Sequence, residues 1–307
     1  MSINPGPMVH SSFYRFWMRK SIGINIQPVR YSSDINAFRE ILSKSHNVLV
    51  LTGAGVSAES QVPTFRGSGG LWRNFSAQNL ATPSAFHSEP GLVWEFYHYR
   101  RETIRSKQPN NGHLTLAHAE TQYLECGRSF FVFTQNVDGL HTKAGSNNIL
   151  ELHGNVYKTR CLECNDVREN YDSPICSALL GRGSPKIEAQ EYKSVPVSQL
   201  PRCQNIIKDN VCGGLLRPHV VWFGECLDPE VLSKVDEIMC KTDVCLVVGT
   251  SAVVYPAASF ITSLVNRGVP VAEINIEVTP ATHLLGYHFQ GKSGDILPKL
   301  FDSLVLS

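Results

Sequence analysis

Four apolar runs, each closing on small or polar residues, set the rhythm of this chain. They are Asn47-Val48-Leu49-Val50-Leu51 before Thr52-Gly53, Phe130-Phe131-Val132-Phe133 before Thr134-Gln135-Asn136, Val244-Cys245-Leu246-Val247-Val248 before Gly249-Thr250-Ser251, and Val269-Pro270-Val271-Ala272-Glu273-Ile274 before Asn275. Runs that are continuously apolar rather than alternating predict strands of a parallel sheet buried on both faces. In an open α/β sheet the ligand crevice lies beyond the carboxyl ends of the strands, so four such endings predict one shared site. A helical pattern runs through Pro90-Gly91-Leu92-Val93-Trp94-Glu95-Phe96-Tyr97-His98-Tyr99-Arg100-Arg101. Three residues apart, Tyr97 and Arg100 share one face of it.

Length and composition narrow the picture. A chain of 307 residues that is 42% hydrophobic builds a substantial core, and one large domain with a smaller insertion is expected. The formal net charge of +1 gives no broad attraction to nucleic acid, so any anion must be recognised by individually placed cations. The apolar runs fall well short of the roughly 20 residues that cross a bilayer, so no membrane partner is expected. With no visible coiled-coil seam, the default is a monomer. Residues 1–33 carry Arg15, Arg19, Lys20 and Arg30 and no acidic residue before Asp34. That composition is expected of a mitochondrial transit peptide or disordered arm, which places the protein in the matrix, with cytosol and nucleus as further compartments. Nine cysteines, an odd count, fit a reducing compartment better than a disulfide framework.

The stretch from about Arg160 to Gly214 changes texture and reads as an inserted module framed by Cys161, Cys164, Cys203 and Cys212. Cys161-Leu162-Glu163-Cys164 is a CxxC knuckle; two close pairs would supply four thiolates to a tetrahedral zinc at about 2.3 Å, and such a closed site is structural rather than catalytic. Eight residues separate Cys203 from Cys212 where about two to four are typical, which leaves Cys176 and Cys226 as competing ligands.

The candidate chemistry lies at the strand ends. Gly53-Ala54-Gly55-Val56-Ser57 is a glycine turn whose residues let backbone approach a pyrophosphate, with the N–H groups of a following helix start to stabilise the charge. Its spacing departs from the strict GxGxxG fingerprint, and alone it could be a plain strand-to-helix turn. Thr134-Gln135-Asn136-Val137-Asp138 and Glu151-Leu152-His153-Gly154-Asn155 add an amide and carboxylate cluster and a lone histidine. With an unperturbed pKa of about 6.5, His153 can take a proton near neutral pH.

These motifs, together with Pro63-Thr64-Phe65-Arg66, the four cysteines and Gly249-Thr250-Ser251, make the chain from about Asp34 to Leu300 resemble the sirtuins, and among them the mitochondrial class III members. The resemblance implies an α/β fold, a Rossmann-like doubly wound parallel sheet with a smaller inserted zinc-binding module, the catalytic domain spanning 34–307. It implies NAD as co-substrate, one structural zinc, and removal of acyl groups from lysine in proteins or peptides. NAD would be held by Gly53, Ala54, Gly55, Ser57, Ala58, Thr64, Phe65, Arg66, Trp72, Gln135, Asn136, Asp138, Gly249, Thr250, Ser251, Asn275, Glu277 and Ser293. Thr64, Phe65 and Arg66 would lie in a loop over the nicotinamide ribose, given freedom to close by Gly67, Gly69 and Gly70. His153 would be the general base toward a ribose hydroxyl.

The acyl group is addressed by a second constellation. The face carrying Tyr97 and Arg100 offers a phenol and a guanidinium, which suit a succinyl, malonyl or glutaryl group ending in a carboxylate that is ionised near neutral pH. Ala81, sixteen residues before Tyr97, matches the small residue that leaves room for a longer acyl chain in those relatives. By resemblance, Val220, Val221 and Phe223, with Trp222, Gly224 and Glu225, line the peptide cleft and acyl-lysine tunnel. The plainer alternative is that Tyr97 covers a core while Arg100 makes a weak surface ion pair. A general deacetylase, an ADP-ribosyltransferase, a non-catalytic acyl-lysine reader and a nicotinamide-dependent dehydrogenase remain open beside the charged-acyl reading.

Overall fold

The computed structural model describes residues 31–64, 70–186, 193–252 and 254–307. The expected targeting segment, up to residue 30, and the expected cofactor residues Phe65 and Arg66 lie outside the described residues. Two larger sheets are built from nine strands: β1 (Asn47–Thr52), β2 (Ser129–Thr134), β3 (Ile149–Glu151), β4 (Gly154–Cys161), β5 (Val167–Glu169), β6 (Leu216–Val220), β7 (Val244–Val248), β8 (Val271–Asn275) and β9 (Tyr287–Gln290). The principal helices are α1 (Ile35–Lys44), α2 (Ala54–Ala58), α3 (Pro90–Arg105), α4 (Asn111–Glu125), α5 (Pro229–Lys241), α6 (Ala257–Asn266) and α7 (Ser293–Phe301).

All four apolar runs become strands of one six-stranded sheet of order β9-β8-β7-β1-β2-β3, with every neighbouring pair parallel. The chain enters at β1, winds to one edge through β2 and β3, and returns to the other side of β1 with β7. This is the doubly wound order, and its switch point lies between β1 and β7. Side chains alternate across a strand, so β1 needs apolar residues at nearly every position. Val48 and Val50 meet α1, α4 and α7 through Phe38, Leu42, Leu116, Tyr123 and Leu297. Leu49 and Leu51 face the opposite layer, where α5 and α6 supply Val235, Phe260 and Leu264. The fourth run starts later than its apolar texture suggests. Val269 and Pro270 precede β8, although the Pro270 carbonyl still accepts from Cys245 N–H at 2.9 Å.

The second sheet is antiparallel, of order β6-β4-β5, and starts at Gly154, directly after His153. α3 packs over it, and Trp72, Trp94, Tyr97, Val156 and Trp222 share its core. The Cys203-to-Cys212 stretch contains a small hairpin, Ile206–Ile207 against Asn210–Val211. Its turn residues Lys208 and Asp209 have φ of 47° and 65°, as a two-residue hairpin turn of the primed type requires.

At the switch point the loops after β1 and β7 interlock through glycine. Gly249 has φ +59°, and a Cβ on it would lie 2.5 Å from the Val56 nitrogen. A Cβ on Gly53 would meet Thr250 Cβ at 2.6 Å, and one on Gly55 would meet Gly249 Cα at 2.7 Å. Gly249→Ala imposes left-handed strain and a backbone clash at once, and should cost about 2–3 kcal/mol in urea denaturation. A loss under about 0.5 kcal/mol would mean that the two loops move apart freely.

Candidate active site

A cavity of about 420 Å³ opens at the carboxyl ends of β1, β2 and β7 and runs between the large sheet and the smaller lobe. Residues from every predicted motif meet in its wall: Gly53, Ala54, Gly55, Ser57 and Thr64; Gln135, Asn136 and Asp138; His153; and Gly249, Thr250 and Ser251. Ala81, Tyr97, Arg100, Val220, Val221 and Phe223 line the same space. A larger cleft of about 760 Å³ lies beyond the edge strand β3, lined by Glu151, Tyr157, Lys158 and Tyr171; it shares Asp138 with the cavity but contains neither His153 nor Arg100.

On the cofactor side, short polar links fix each group. The Asn136 amide donates to the Gly53 carbonyl at 2.9 Å and to the Ser57 hydroxyl at 3.0 Å. The Gln135 amide donates to Thr250 Oγ1 at 3.0 Å, joining the ends of β2 and β7. Asn275, at the end of β8, donates to the Thr250 carbonyl at 3.0 Å. The glycine turn works differently from its sequence reading. The Gly53 and Gly55 N–H groups are already taken by the carbonyls of Val248 and Gly249, at 3.0 and 2.7 Å. α2 is only five residues long, so its dipole is small. What the two glycines contribute is close packing of the loops and the absence of side chains.

Five expected residues do not line this cavity: Asn275, which instead braces the Thr250 carbonyl, and Trp72, Ser293, Ala58 and Glu277. Trp72 is 1% exposed, packs edge-on against Phe96, and donates its indole N–H to the Gly183 carbonyl at 3.1 Å. It belongs to the core of the smaller lobe, as a large buried indole with a satisfied N–H generally does. The Ser293 hydroxyl, at the head of α7, donates to Glu59 at 2.5 Å. Ala58 and Glu277 are exposed, at the end of α2 and beyond β8. Val62, Gln78, Leu227, Tyr255 and Pro256 line the cavity without having been expected there. Only Tyr255-Pro256, just past the third apolar run, carried a usable signal, because loops beyond strand ends build such sites.

His153 is held in one orientation. Its Nδ1 lies 3.0 Å from the Gln135 carbonyl, which can only accept. Nδ1 therefore carries the proton and Nε2 presents its lone pair. Burial pushes the imidazole below the usual histidine range, against the Gln135 carbonyl, which favours the charged ring. Asp138 accepts from Leu140 N–H at 2.9 Å, and burial raises its carboxyl despite that bond and the Ser57 and Arg100 groups nearby.

Tyr97, 0% exposed, belongs to the small-lobe core, as the plainer alternative expected, whereas Arg100, 7% exposed, is buried and not at the surface where that alternative placed it. Burial pushes the Tyr97 phenol up to about 12, so it stays a neutral hydroxyl. Burial also pulls the Arg100 guanidinium down, opposed by Tyr97, Asp138 and Tyr99; arginine nonetheless stays charged. The Trp222 indole donates to the Tyr97 oxygen at 2.8 Å. Ala81 contributes only a methyl to the cavity wall, and its carbonyl accepts from Phe223 N–H at 2.9 Å.

The four cysteines at the far end of β4 form one cluster, with all sulfurs within 4.8 Å of one another. Cys161 and Cys212 stand 3.7 Å apart, as do Cys164 and Cys203. A tetrahedron of thiolates about 2.3 Å from zinc has edges of about 3.8 Å, so the donor set fits that ion. Backbone N–H groups of Glu163 and Asn205 donate to Cys161 and Cys203 at 3.4 Å each. Cys226 is exposed and Cys176 packs against the small-lobe core, so neither competes. The wide spacing is absorbed by the hairpin.

A profile of the Sir2 family matches residues 53–256. An NAD-dependent protein deacylase of Daphnia pulex is 60% identical over 268 residues, 87% of this chain and 96% of its own length. A protein of Canis lupus familiaris named NAD-dependent protein deacylase sirtuin-5, mitochondrial, is 52% identical over 97% of this chain and 96% of its own length. A solved complex of a Sir2 homologue with NAD superimposes with a TM-score of 0.74 at 38% identity, covering 91% of this chain and 98% of that one. Cys203→Ser should abolish stoichiometric zinc by elemental analysis and lower the melting temperature, while Cys176→Ser and Cys226→Ser retain the metal. Full zinc content in Cys203→Ser would remove Cys203 from the ligand set.

Proposed function

We propose, from the premise that this chain belongs to the Sir2 family, that it is an NAD-dependent protein-lysine deacylase selective for acyl groups ending in a carboxylate: succinyl, malonyl or glutaryl. The observation that carries the proposal is a buried guanidinium and a buried phenol, Arg100 and Tyr97, in the wall of the cavity that also holds His153. A carboxylate brought by substrate can accept hydrogen bonds from both the Arg100 guanidinium and the Tyr97 hydroxyl. Acetyl-lysine brings no such partner.

NAD, as co-substrate, would supply an activated ribose, and together with the acyl-lysine amide and one water the products would be nicotinamide, O-acyl-ADP-ribose and free lysine. The residues that would hold it are those gathered at the ends of β1, β2 and β7, with Asn275 alongside. Phe65, Arg66 and Glu277 join them on family resemblance. Gln135, Asn136 and Asp138 orient polar groups without being strong nucleophiles themselves. His153 receives a ribose hydroxyl proton at Nε2, while the Gln135 carbonyl holds the ring by Nδ1–H. The segment that follows β6, from Val221 through the turn at Phe223-Gly224 to Glu225, lines the cavity, and an acyl-lysine peptide held between the two lobes would pass along it. The thiolate cluster would bind one structural zinc. Relatives named as mitochondrial support the same compartment for this chain, by way of its basic N-terminal segment.

The direct test is mass-spectrometric turnover of one peptide carrying succinyl- or acetyl-lysine, with NAD. Wild type should prefer the succinyl peptide. Arg100→Met should lose succinyl turnover by roughly 30-fold or more, the scale of removing one partner of a buried charge pair. An acetyl preference in wild type would return Tyr97 and Arg100 to a packing role.

The pH profile supplies a second test. The base acts when neutral, and its lowered pKa keeps it neutral to lower pH, so the acid limb of kcat/KM should have its midpoint below about 6.5. A midpoint well above 6.5 would point to another base.

A further inference from the structure

We infer that Trp222 is a positioning residue for acyl selection, because its indole N–H fixes which way the Tyr97 hydroxyl proton points. This rests on the deacylase reading of the cavity. A phenol can donate one hydrogen bond and accept two, whereas an indole N–H can only donate. In the Trp222 to Tyr97 bond, 2.8 Å long and buried, the phenol oxygen must therefore be the acceptor. The Tyr97 proton is directed away from the indole, and no acceptor for it is found among the described residues. Tyr97 and Arg100 are both lining residues of the cavity, so the carboxylate of an acyl group placed there would be the acceptor for that proton. With an apolar neighbour in place of the indole N–H, the hydroxyl could rotate and present lone pairs instead. Lone pairs there would repel a carboxylate.

The indole is itself clamped. The Arg217 guanidinium lies 3.4 Å from the centre of the Trp222 ring and is paired through two nitrogens with Glu225, at 2.6 and 2.9 Å. Arg217 also donates to the Val220 carbonyl at 2.9 Å, and Glu225 accepts the Trp222 backbone N–H at 2.8 Å. Phe86 packs on the indole with ring centres 5.2 Å apart. Burial would raise the Glu225 carboxyl, but Arg217 and the Trp222 N–H outweigh it and hold the group below its usual range, so it stays ionised. A chain of fixed charges and hydrogen bonds thus runs Glu225, Arg217, Trp222, Tyr97 and ends at the acyl wall.

The experiment uses the full-length enzyme with one peptide, succinylated or acetylated, and the variants Trp222→Phe, Tyr97→Phe and their combination. Trp222→Phe keeps an aromatic ring but loses the N–H donor together with the fused five-membered ring, and comparison with Tyr97→Phe and the double variant separates the lost hydrogen bond from the lost volume. The succinyl-to-acetyl ratio of kcat/KM should fall roughly 5- to 10-fold, carried by a higher KM for the succinyl peptide, and the double variant should be no worse than Tyr97→Phe alone. An unchanged ratio, or equal losses on both peptides, would overturn the inference. Failure of wild type to prefer the succinyl peptide would overturn the functional reading itself. Should Trp222→Phe fold poorly, ¹⁵N-indole labelling replaces it: the Trp222 Nε1–H resonance should shift on binding succinyl peptide in wild type and not in Tyr97→Phe. A resonance indifferent to both peptide and Tyr97→Phe would refute the coupling.

Discussion

The whole site depends on how closely two loops can approach at the sheet's switch point. Strands β1 and β7 are neighbours in the sheet and nearly two hundred residues apart in the chain, and their following loops occupy the same crevice. Gly53, Gly55 and Gly249 leave no room for a Cβ, so the loops touch backbone to backbone and are joined by the bond from Gly55 N–H to the Gly249 carbonyl, at 2.7 Å. Everything around the cofactor side hangs on that contact. Asn136 reaches the Gly53 carbonyl, Gln135 reaches Thr250, and Asn275 reaches the Thr250 backbone, so four strand ends are tied into one rim.

The smaller lobe solves a different problem, that of keeping a guanidinium buried. Arg100 has its charge desolvated by burial in the cavity wall, which it shares with Tyr97 and Asp138. The cost of such burial is tolerable where neighbouring dipoles and carboxylates supply part of the missing solvation, and Tyr97, Asp138 and Tyr99 do so here.

Much of this arrangement was legible in the sequence, for identifiable reasons. Continuous apolar runs ending in glycine or polar residues located four strands of the large sheet, since a strand buried on both faces has few alternatives. The helical spacing of Tyr97 and Arg100 placed them on one face, and both line the cavity. Strand β9 and the short edge strand β3 gave no comparable signal, because Tyr287-His288-Phe289-Gln290 and Ile149-Leu150-Glu151 are brief and mixed in polarity. The glycine turn was located correctly, but its hydrogen-bond donors are spent on the β7 loop, a partner that local sequence cannot reveal. Trp72 was drawn toward the cofactor by resemblance, whereas its indole finds the Gly183 carbonyl more than a hundred residues away.

The two ends of β4 connect the four-cysteine cluster to the cavity although the two stand apart. His153 immediately precedes this eight-residue strand and Cys161 ends it, so one extended segment of about 26 Å joins His153 to the cysteine cluster. Its partner β6 follows Cys203 and Cys212 and leads into Val221, whose N–H donates to the His153 carbonyl at 2.9 Å. Four thiolates around one ion would pin the distal ends of β4 and β6 to each other, and the pairing between them carries that constraint back to the cavity. There it sets the separation between His153 and the segment from Val221 to Glu225 against which the acyl-lysine would lie. The register does bulge between Pro218 and Val220, and Gly154, at φ +76°, sits so close to the His219 carbonyl that a Cβ would fall 2.1 Å from it. Glycine at that position is therefore required by the crossing of the two strands, and the crossing is what brings His153 to the cavity wall.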